Sequence, residues 1–315
     1  MEKKSKLSIV VPCYNEEKVI NIFYQNLQKV IENFSNKYDY EIVFVDDGSK
    51  DETFSKMKEI REQDDNTKII SFSRNFGKEA GIYAGLSNST GDLVVVMDSD
   101  LQHPPEIILE MLKYIEEGYD TVATRRKNRK GEPAFKNFCA NMFYKLINKF
   151  METKLEEGVQ DFRMMKRNVV DSILSLNEYN RFSKGIFNWV GFNCKYIEIE
   201  NVKRAAGKTK WSFNSLWNYA IEGITSFTTA PLKLSMFIGL FVFVISIIFA
   251  ISIVIQTLVM GKDVPGYAST IVSVLFMGGV QLLCMGILSE YISKMYMEIK
   301  DRPKYIIKEK IDINK

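Results

Sequence analysis

Two long uncharged runs constrain this chain more than any other feature. No Asp, Glu, Lys or Arg occurs over the 28 positions from Leu234 to Gly261, nor over the 26 from Val264 to Ser289. Each run exceeds the ~20 residues a helix needs to cross the ~30 Å hydrocarbon layer of a bilayer. A pair of buried core helices would share that composition, but a soluble domain has little use for two such runs in succession. The pattern predicts two membrane spans, Leu234 to Met260 and Tyr267 to Tyr291. Only GKDVPG lies between Met260 and Tyr267 and its glycines and Pro265 mark a tight turn, so the spans are expected to form a hairpin.

Lys and Arg near the spans set the orientation. Lys294, Lys300, Arg302, Lys304, Lys308, Lys310 and Lys315 follow the second span; Lys203, Arg204, Lys208, Lys210 and Lys233 precede the first; the turn holds Lys262 alone. Both termini are therefore expected on the cytoplasmic side. The opening MEKKSK leads into LSIVVPCYN, an apolar run too short for a secretory signal, so residues 1 to about 230 are expected to stay in the cytosol. Four cysteines without CxxC or zinc spacing fit a reducing compartment, and His103 as the sole histidine leaves no material for a His-rich metal centre. A net charge of +3 is too balanced for a surface that tracks nucleic acid. Any basic site must be local.

The first 130 residues alternate short β-branched runs with longer helical patterns. LSIVVP, YEIVFV, KIISFS, DLVVVM and DTVAT are the expected strands, and apolar positions 19, 20, 23, 27, 30, 31 and 34 mark a helix over Glu17 to Phe34. Apolar strands without alternation, spaced by helices, predict an α/β fold with a mostly parallel sheet covered on both faces. Ligands of such sheets bind beyond the carboxyl ends of the strands. Those ends read PCYNEE, DDGS, SRNFGK and DSDLQH, a dense set of carboxylates and amides.

Asp98 and Asp100 bracket Ser99 at a strand exit, with Gln102 two residues on. Two carboxylates so placed can chelate one hard divalent cation, Mg²⁺ or Mn²⁺, that keeps open positions for phosphate oxygens. There is no GxxxxGK[ST] cradle, and no GxGxxG follows the first strand, which weakens a dinucleotide reading. Phosphates would instead be neutralised by a cation and by basic side chains from elsewhere. Ala80, Gly81, Ala84 and Gly85 are small residues that let the helix after the third strand lie close to the sheet.

PCYNEE, VDDGS, RNFGKEAGIYAGL, DSDLQHPPE, QDFR and RAAGKTKW, followed by two apolar runs, resemble the polyprenyl-phosphate glycosyltransferases in order and over nearly the whole chain. The resemblance is nearest to the bactoprenol branch, which shares a GT-A fold with dolichol-phosphate mannose synthase. It implies inverting transfer of a hexose, glucose or N-acetylglucosamine foremost, from a nucleotide sugar such as a UDP-hexose to undecaprenyl phosphate at the bacterial cytoplasmic membrane.

The same resemblance assigns residues. Pro12, Tyr14 and Glu16 with Asp46 and Asp47 would hold the nucleoside, whose uracil N3–H and ribose hydroxyls are donors. Asp98, Asp100 and Gln102 would carry the metal on the diphosphate, with Ser99 close by and Lys78 touching the nucleotide. Arg204 and Lys210 match a basic pair over the diphosphate. Arg125 matches an arginine near the acceptor phosphate, with Arg126 and Lys136 as helpers. Asp161 of QDFR matches the family's candidate catalytic base and Arg163 lies beside it. A lipid phosphate with a second pKa near 6 is already largely a dianion at cytosolic pH, so a carboxylate close to the oxocarbenium-like anomeric carbon is as good a role for Asp161 as proton removal.

Aromatic and apolar residues at spacings of three and four run from Phe135 to Phe150 and from Trp211 to Phe227. Such helices can lie in the headgroup layer or pack on the soluble core. The expected organisation is a cytosolic GT-A domain over residues 1–210, a juxtamembrane amphipathic helix over 211–233, the two spans over 234–291, and a basic tail over 292–315; a homo-oligomer is compatible with it. A processive polysaccharide synthase would bring a QxxRW motif, which is not present. A non-catalytic scaffold or flippase partner would use polar residues in the spans, and the runs 234–261 and 264–289 contain no Asp, Glu, Lys or Arg.

Overall fold

The computed structural model describes residues 4–127, 156, 158–199, 225, 228–260 and 266–313. The five apolar runs form β1 (Ser5–Cys13), β2 (Tyr38–Asp46), β3 (Thr67–Phe72), β4 (Leu93–Val96) and β5 (Thr121–Arg126). With β6 (Val159–Lys166), β7 (Cys194–Ile199) and β8 (Ile307–Ile311) they make an eight-stranded sheet in the order β7-β5-β6-β4-β1-β2-β3-β8. β1 pairs in parallel with both β2 and β4, and β2 with β3. Leu7 to Cys13 are buried without alternation, as a strand covered on both faces must be.

Helices α1 (Ile20–Phe34), α2 (Thr53–Gln63), α3 (Lys78–Asn88) and α4 (Ile107–Glu116) connect the first five strands. Ile20, Phe23, Leu27, Val30, Ile31 and Phe34 of α1 are buried, the stripe that the sequence spacing predicts. α3 lies unusually close to the central strand. A Cβ on Gly85 would stand 2.1 Å from Val10 Cγ1, and one on Gly81 would stand 3.2 Å from Pro12 Cβ. The small residues of GKEAGIYAG are thus a packing requirement that sets the height of α3 over β1.

β6 departs from the five-strand reading. It enters antiparallel between β4 and β5, pairing Val96 with Arg163 and Ala123 with Arg163. A strand running the other way brings its N-terminal residues to the end of the sheet where β4 and β5 terminate. β5 also pairs in parallel with β7. Helices α5 (Arg167–Ser175) and α6 (Ser183–Trp189) lie between β6 and β7 in the chain.

Residues 292–315, read from sequence as a tail, contain the last strand. β8 adds antiparallel to β3, with Ile69 opposite Ile311. Tyr305 stacks on Phe72 at 4.9 Å, and Lys58 pairs with Glu309 at 2.6 Å. This covers the β3 edge, which would otherwise expose unpaired backbone groups.

The chain divides into two compact units, Met1–Asn218 with Arg302–Lys315, and Tyr219–Asp301. The second contains α7 (Ala230–Met260) and α8 (Tyr267–Ile299). Pro231–Gln256 and Val272–Ile299 have mean hydropathies of 3.1 and 2.0 and are long and apolar enough to cross a membrane. Their large side chains, among them Phe241, Phe249, Leu258, Leu282 and Met285, are exposed in the isolated chain, which is not how core helices of a soluble domain sit. Within this unit the Tyr291 hydroxyl donates to the Thr228 carbonyl at 2.6 Å.

Candidate active site

The loops after β1 and β2 are joined by their own polar groups. Asn15, with φ of 55°, donates its N–H to Ser49 Oγ at 3.0 Å, and its side-chain oxygen accepts from the Lys50 N–H at 2.9 Å. The Glu16 N–H donates to Thr53 Oγ1 at 2.7 Å. Gly48 has φ of +65°, and a Cβ there would meet the Arg74 backbone at 2.4 Å, so the DDGS turn admits only glycine. PCYNEE and DDGS are therefore one floor. Pro12, Tyr14, Glu16, Asp46 and Asp47 all stand on it.

Asp46 and Asp47 are buried and engaged. Asp46 accepts from the Ser49 N–H at 2.9 Å and from Ser71 Oγ at 2.7 Å. Asp47 accepts from the N–H groups of Phe76 and Gly77 at 2.6 and 2.9 Å. Burial raises the Asp47 pKa to about 6 against the pull of those two donors. These carboxylates fix the loop that leads into α3.

Beyond β4 the chain turns through Leu101, whose φ is 58°. Asp100 accepts from the Gln102 N–H at 3.1 Å, Ser99 is buried, and buried His103 lies 5.8 Å from the ring of Phe162 on β6. Asp98, Asp100 and Gln102 thus share one short loop and offer the hard oxygen donors that Mg²⁺ or Mn²⁺ prefers. Among the described residues no group of three His, Cys, Asp or Glu side chains is arranged to hold an ion alone. The donor set fits a cation whose shell phosphate oxygens complete.

Continuing the Val96–Arg163 register by two residues places Asp98 opposite Asp161. Lys78, the first residue of α3, bridges them. Its Nζ lies 2.8 Å from the Asp98 carboxylate and 2.7 Å from Asp161 Oδ2. Burial opposes the charge on Lys78, but Asp161 and Asp98 outweigh it and raise its pKa above the ordinary lysine value. Burial likewise opposes the charge on Asp161, yet Lys78 and then Lys184 hold its pKa well below the usual carboxylate range. Asp161 is a carboxylate throughout the working pH range.

The sequence reading set Arg163 beside Asp161, but the structure gives Asp161 to Lys78. Arg163 is buried, with its guanidinium carbon 3.7 Å from the centre of the Phe187 ring and Nη2 donating to the Gln160 carbonyl at 3.3 Å. Arg125, the last but one residue of β5, is paired to Glu198 at 2.7 Å and Glu156 at 3.6 Å, and Arg126 ends the strand. Lys136, Arg204, Lys210 and both aromatic amphipathic stretches lie outside the described residues.

Two residues near Asp161 escaped the sequence reading. Glu79 accepts hydrogen bonds from the Ser183 N–H at 3.0 Å and from its hydroxyl, tying α3 to the start of α6. Burial raises the Glu79 pKa to about 7, with Asp161 adding to the rise and Ser183 opposing it. Lys184 follows Ser183 and acts electrostatically on Asp161. The RFSKG segment that holds both carries no motif spacing, and only the fold brings it to QDFR.

Carboxylates and hard-ion donors gathered beyond a mixed sheet, with an antiparallel strand delivering one more carboxylate, define a GT-A glycosyltransferase. The chain belongs to glycosyl transferase family 2, whose model matches residues 8–174, and a GtrB C-terminal hairpin model matches residues 230–295. It is 47% identical to the putative glycosyltransferase CsbB of Bacillus subtilis over 98% of this chain and 92% of the relative. It is 46% identical to the SfII prophage-derived bactoprenol glucosyl transferase of Shigella flexneri, over 96% of this chain and 97% of the relative. It is 44% identical to the prophage bactoprenol glucosyl transferase homolog of Escherichia coli, over 96% and 98%. The protein is a membrane-associated glycosyltransferase.

Proposed function

We propose that the protein transfers a hexose, glucose first, from a UDP-sugar to undecaprenyl phosphate with inversion at the anomeric carbon. The observation that carries this is a likeness of 46% that runs through catalytic domain and hairpin alike in a bactoprenol glucosyl transferase. One acceptor phosphate oxygen forms the new bond to the anomeric carbon as the bond from that carbon to the diphosphate breaks, and UDP leaves with the electron pair. The ionised Asp161 stabilises positive charge at the anomeric carbon, and Lys78 keeps that carboxylate beside the DSDLQ loop. Asp98, Asp100 and Gln102 would hold the divalent cation. When bound, Mg²⁺ or Mn²⁺ supplies charge to the departing diphosphate.

Pro12, Tyr14 and Glu16 form the nucleoside floor, which Asp46 and Asp47 shape through the bonds they make to Ser49, Ser71, Phe76 and Gly77. Ser99 backs the DSDLQ loop. The family resemblance assigns Arg204 and Lys210 to the diphosphate, and Arg125, Arg126 and Lys136 to the acceptor phosphate. The α7–α8 hairpin holds the protein in the bacterial cytoplasmic membrane, with both termini on the cytoplasmic side.

Cation dependence tests the reading. With UDP-glucose and undecaprenyl phosphate, excess chelator abolishes transfer and Mn²⁺ or Mg²⁺ restores it, while Asp100→Asn stays inactive and keeps its thermal unfolding midpoint. Full activity in chelator contradicts the assignment of Asp98, Asp100 and Gln102.

A further inference from the structure

The acceptor of the proposed reaction brings a phosphomonoester, largely a dianion above a second pKa near 6, towards an Asp161 that is itself ionised. Two anions meeting at one reacting centre need a cation of their own. Among the described residues, Lys78, Lys184 and Arg163 are the cations that act on Asp161. Lys78 is committed to Asp98 and Asp161 at 2.8 and 2.7 Å. Arg163 is buried and lies against Phe187. Arg125, which the family resemblance turned towards the acceptor, carries Glu198 and Glu156 with it. Lys184 is half-buried and makes no ion pair among the described residues.

Its position is built from both sides. Before it, Ser183 is anchored to Glu79 through its backbone N–H and its hydroxyl. After it, Phe187 packs on the Arg163 guanidinium at 3.7 Å. Residues 184 and 187 stand one turn apart on α6 and share a face, so the face that meets β6 at Arg163 carries Lys184 towards Asp161, two residues earlier on that strand. We infer that Lys184 binds the phosphate of the lipid acceptor. Resting on the reaction proposed above, this makes the ammonium a bridge that lets a phosphate dianion stand beside the Asp161 carboxylate. Its partner class is a phosphomonoester with an apolar tail, and its contact is one charge-assisted hydrogen bond.

The test uses the full-length protein in detergent with UDP-glucose and Mn²⁺, comparing wild type, Lys184→Gln and Lys184→Arg. Losing a hydrogen bond to a charged group raises the acceptor KM roughly tenfold or more. The expected result is that rise for undecaprenyl phosphate in Lys184→Gln, with the UDP-glucose KM unchanged and most of the loss recovered in Lys184→Arg. A wild-type acceptor KM in Lys184→Gln, or a fall in kcat with both KM values unchanged, overturns the assignment, the latter giving Lys184 a role through Asp161 alone. A wild-type protein that transfers nothing to undecaprenyl phosphate removes the proposed function, and the role of Lys184 with it.

Discussion

At Asp161 two lysines decide what a carboxylate can do. Lys78 touches it and Lys184 acts on it electrostatically, and together they overcome burial and keep its pKa below the ordinary range. A carboxylate so held is a poor proton acceptor and a good partner for developing positive charge. Asp161→Asn is therefore expected to lose about a hundredfold or more of kcat, by a similar factor at every pH. A rate profile from pH 5.5 to 8.5 checks this, and recovery of the variant above pH 6, where the acceptor ionises unaided, would mark Asp161 as a base. DSDLQ was legible in the sequence because its donors are neighbours in the chain. The Lys78–Asp161 pair was not, since residues 83 positions apart meet only through the reversed direction of β6.

Elements were readable where one periodicity ruled. β1 to β5 and α1 announce themselves as apolar runs and a helical stripe, and the crowding of Gly81 and Gly85 against β1 follows from small residues at helical spacing. β6, β7 and β8 were missed because QDFRMMK, CKYIEI and IKEKI mix charge with apolar residues and acquire their partners late in the chain. Away from the site, Glu41 of β2 is wholly buried and joins β1, β2 and the turn after α3. It lies 2.7 Å from Lys6 Nζ, 2.6 Å from Ser8 Oγ, 2.6 Å from the Thr90 N–H and 3.3 Å from Lys68 Nζ. Burial works against its charge, but these donors outweigh it and lower the pKa from 4.5 to about 2. A depressed carboxylate pKa stabilises the fold above the unfolded value and loses that contribution as pH falls through the folded one. Glu41→Gln is expected to cost on the order of 2–3 kcal/mol at pH 7. Unfolding followed by circular dichroism should show the gap to wild type closing between pH 5 and pH 2; a gap constant over that range contradicts the account.

Over the whole molecule, a catalytic unit assembled from both ends of the chain is interrupted by a unit of two apolar helices. Ile307–Ile311 stands in the same sheet as β1, so if both helices span the membrane as proposed, the residues before and after them lie on one side of it. An impermeant thiol reagent applied to intact cells should therefore label a cysteine placed at Asp263 and leave one at Ile311 untouched; labelling at Ile311 alone inverts the topology. The proposed orientation rests on the Lys and Arg counts, whereas the return of the tail into the sheet had no sequence signal. The central claim is the reaction itself, and product mass tests it most directly. Purified protein in detergent with undecaprenyl phosphate, Mn²⁺ and a panel of nucleotide sugars should yield an undecaprenyl-phosphate hexose from UDP-glucose, with UDP released in equal amount. A lipid product carrying a diphosphate, or no lipid product with any sugar of the panel, would contradict it.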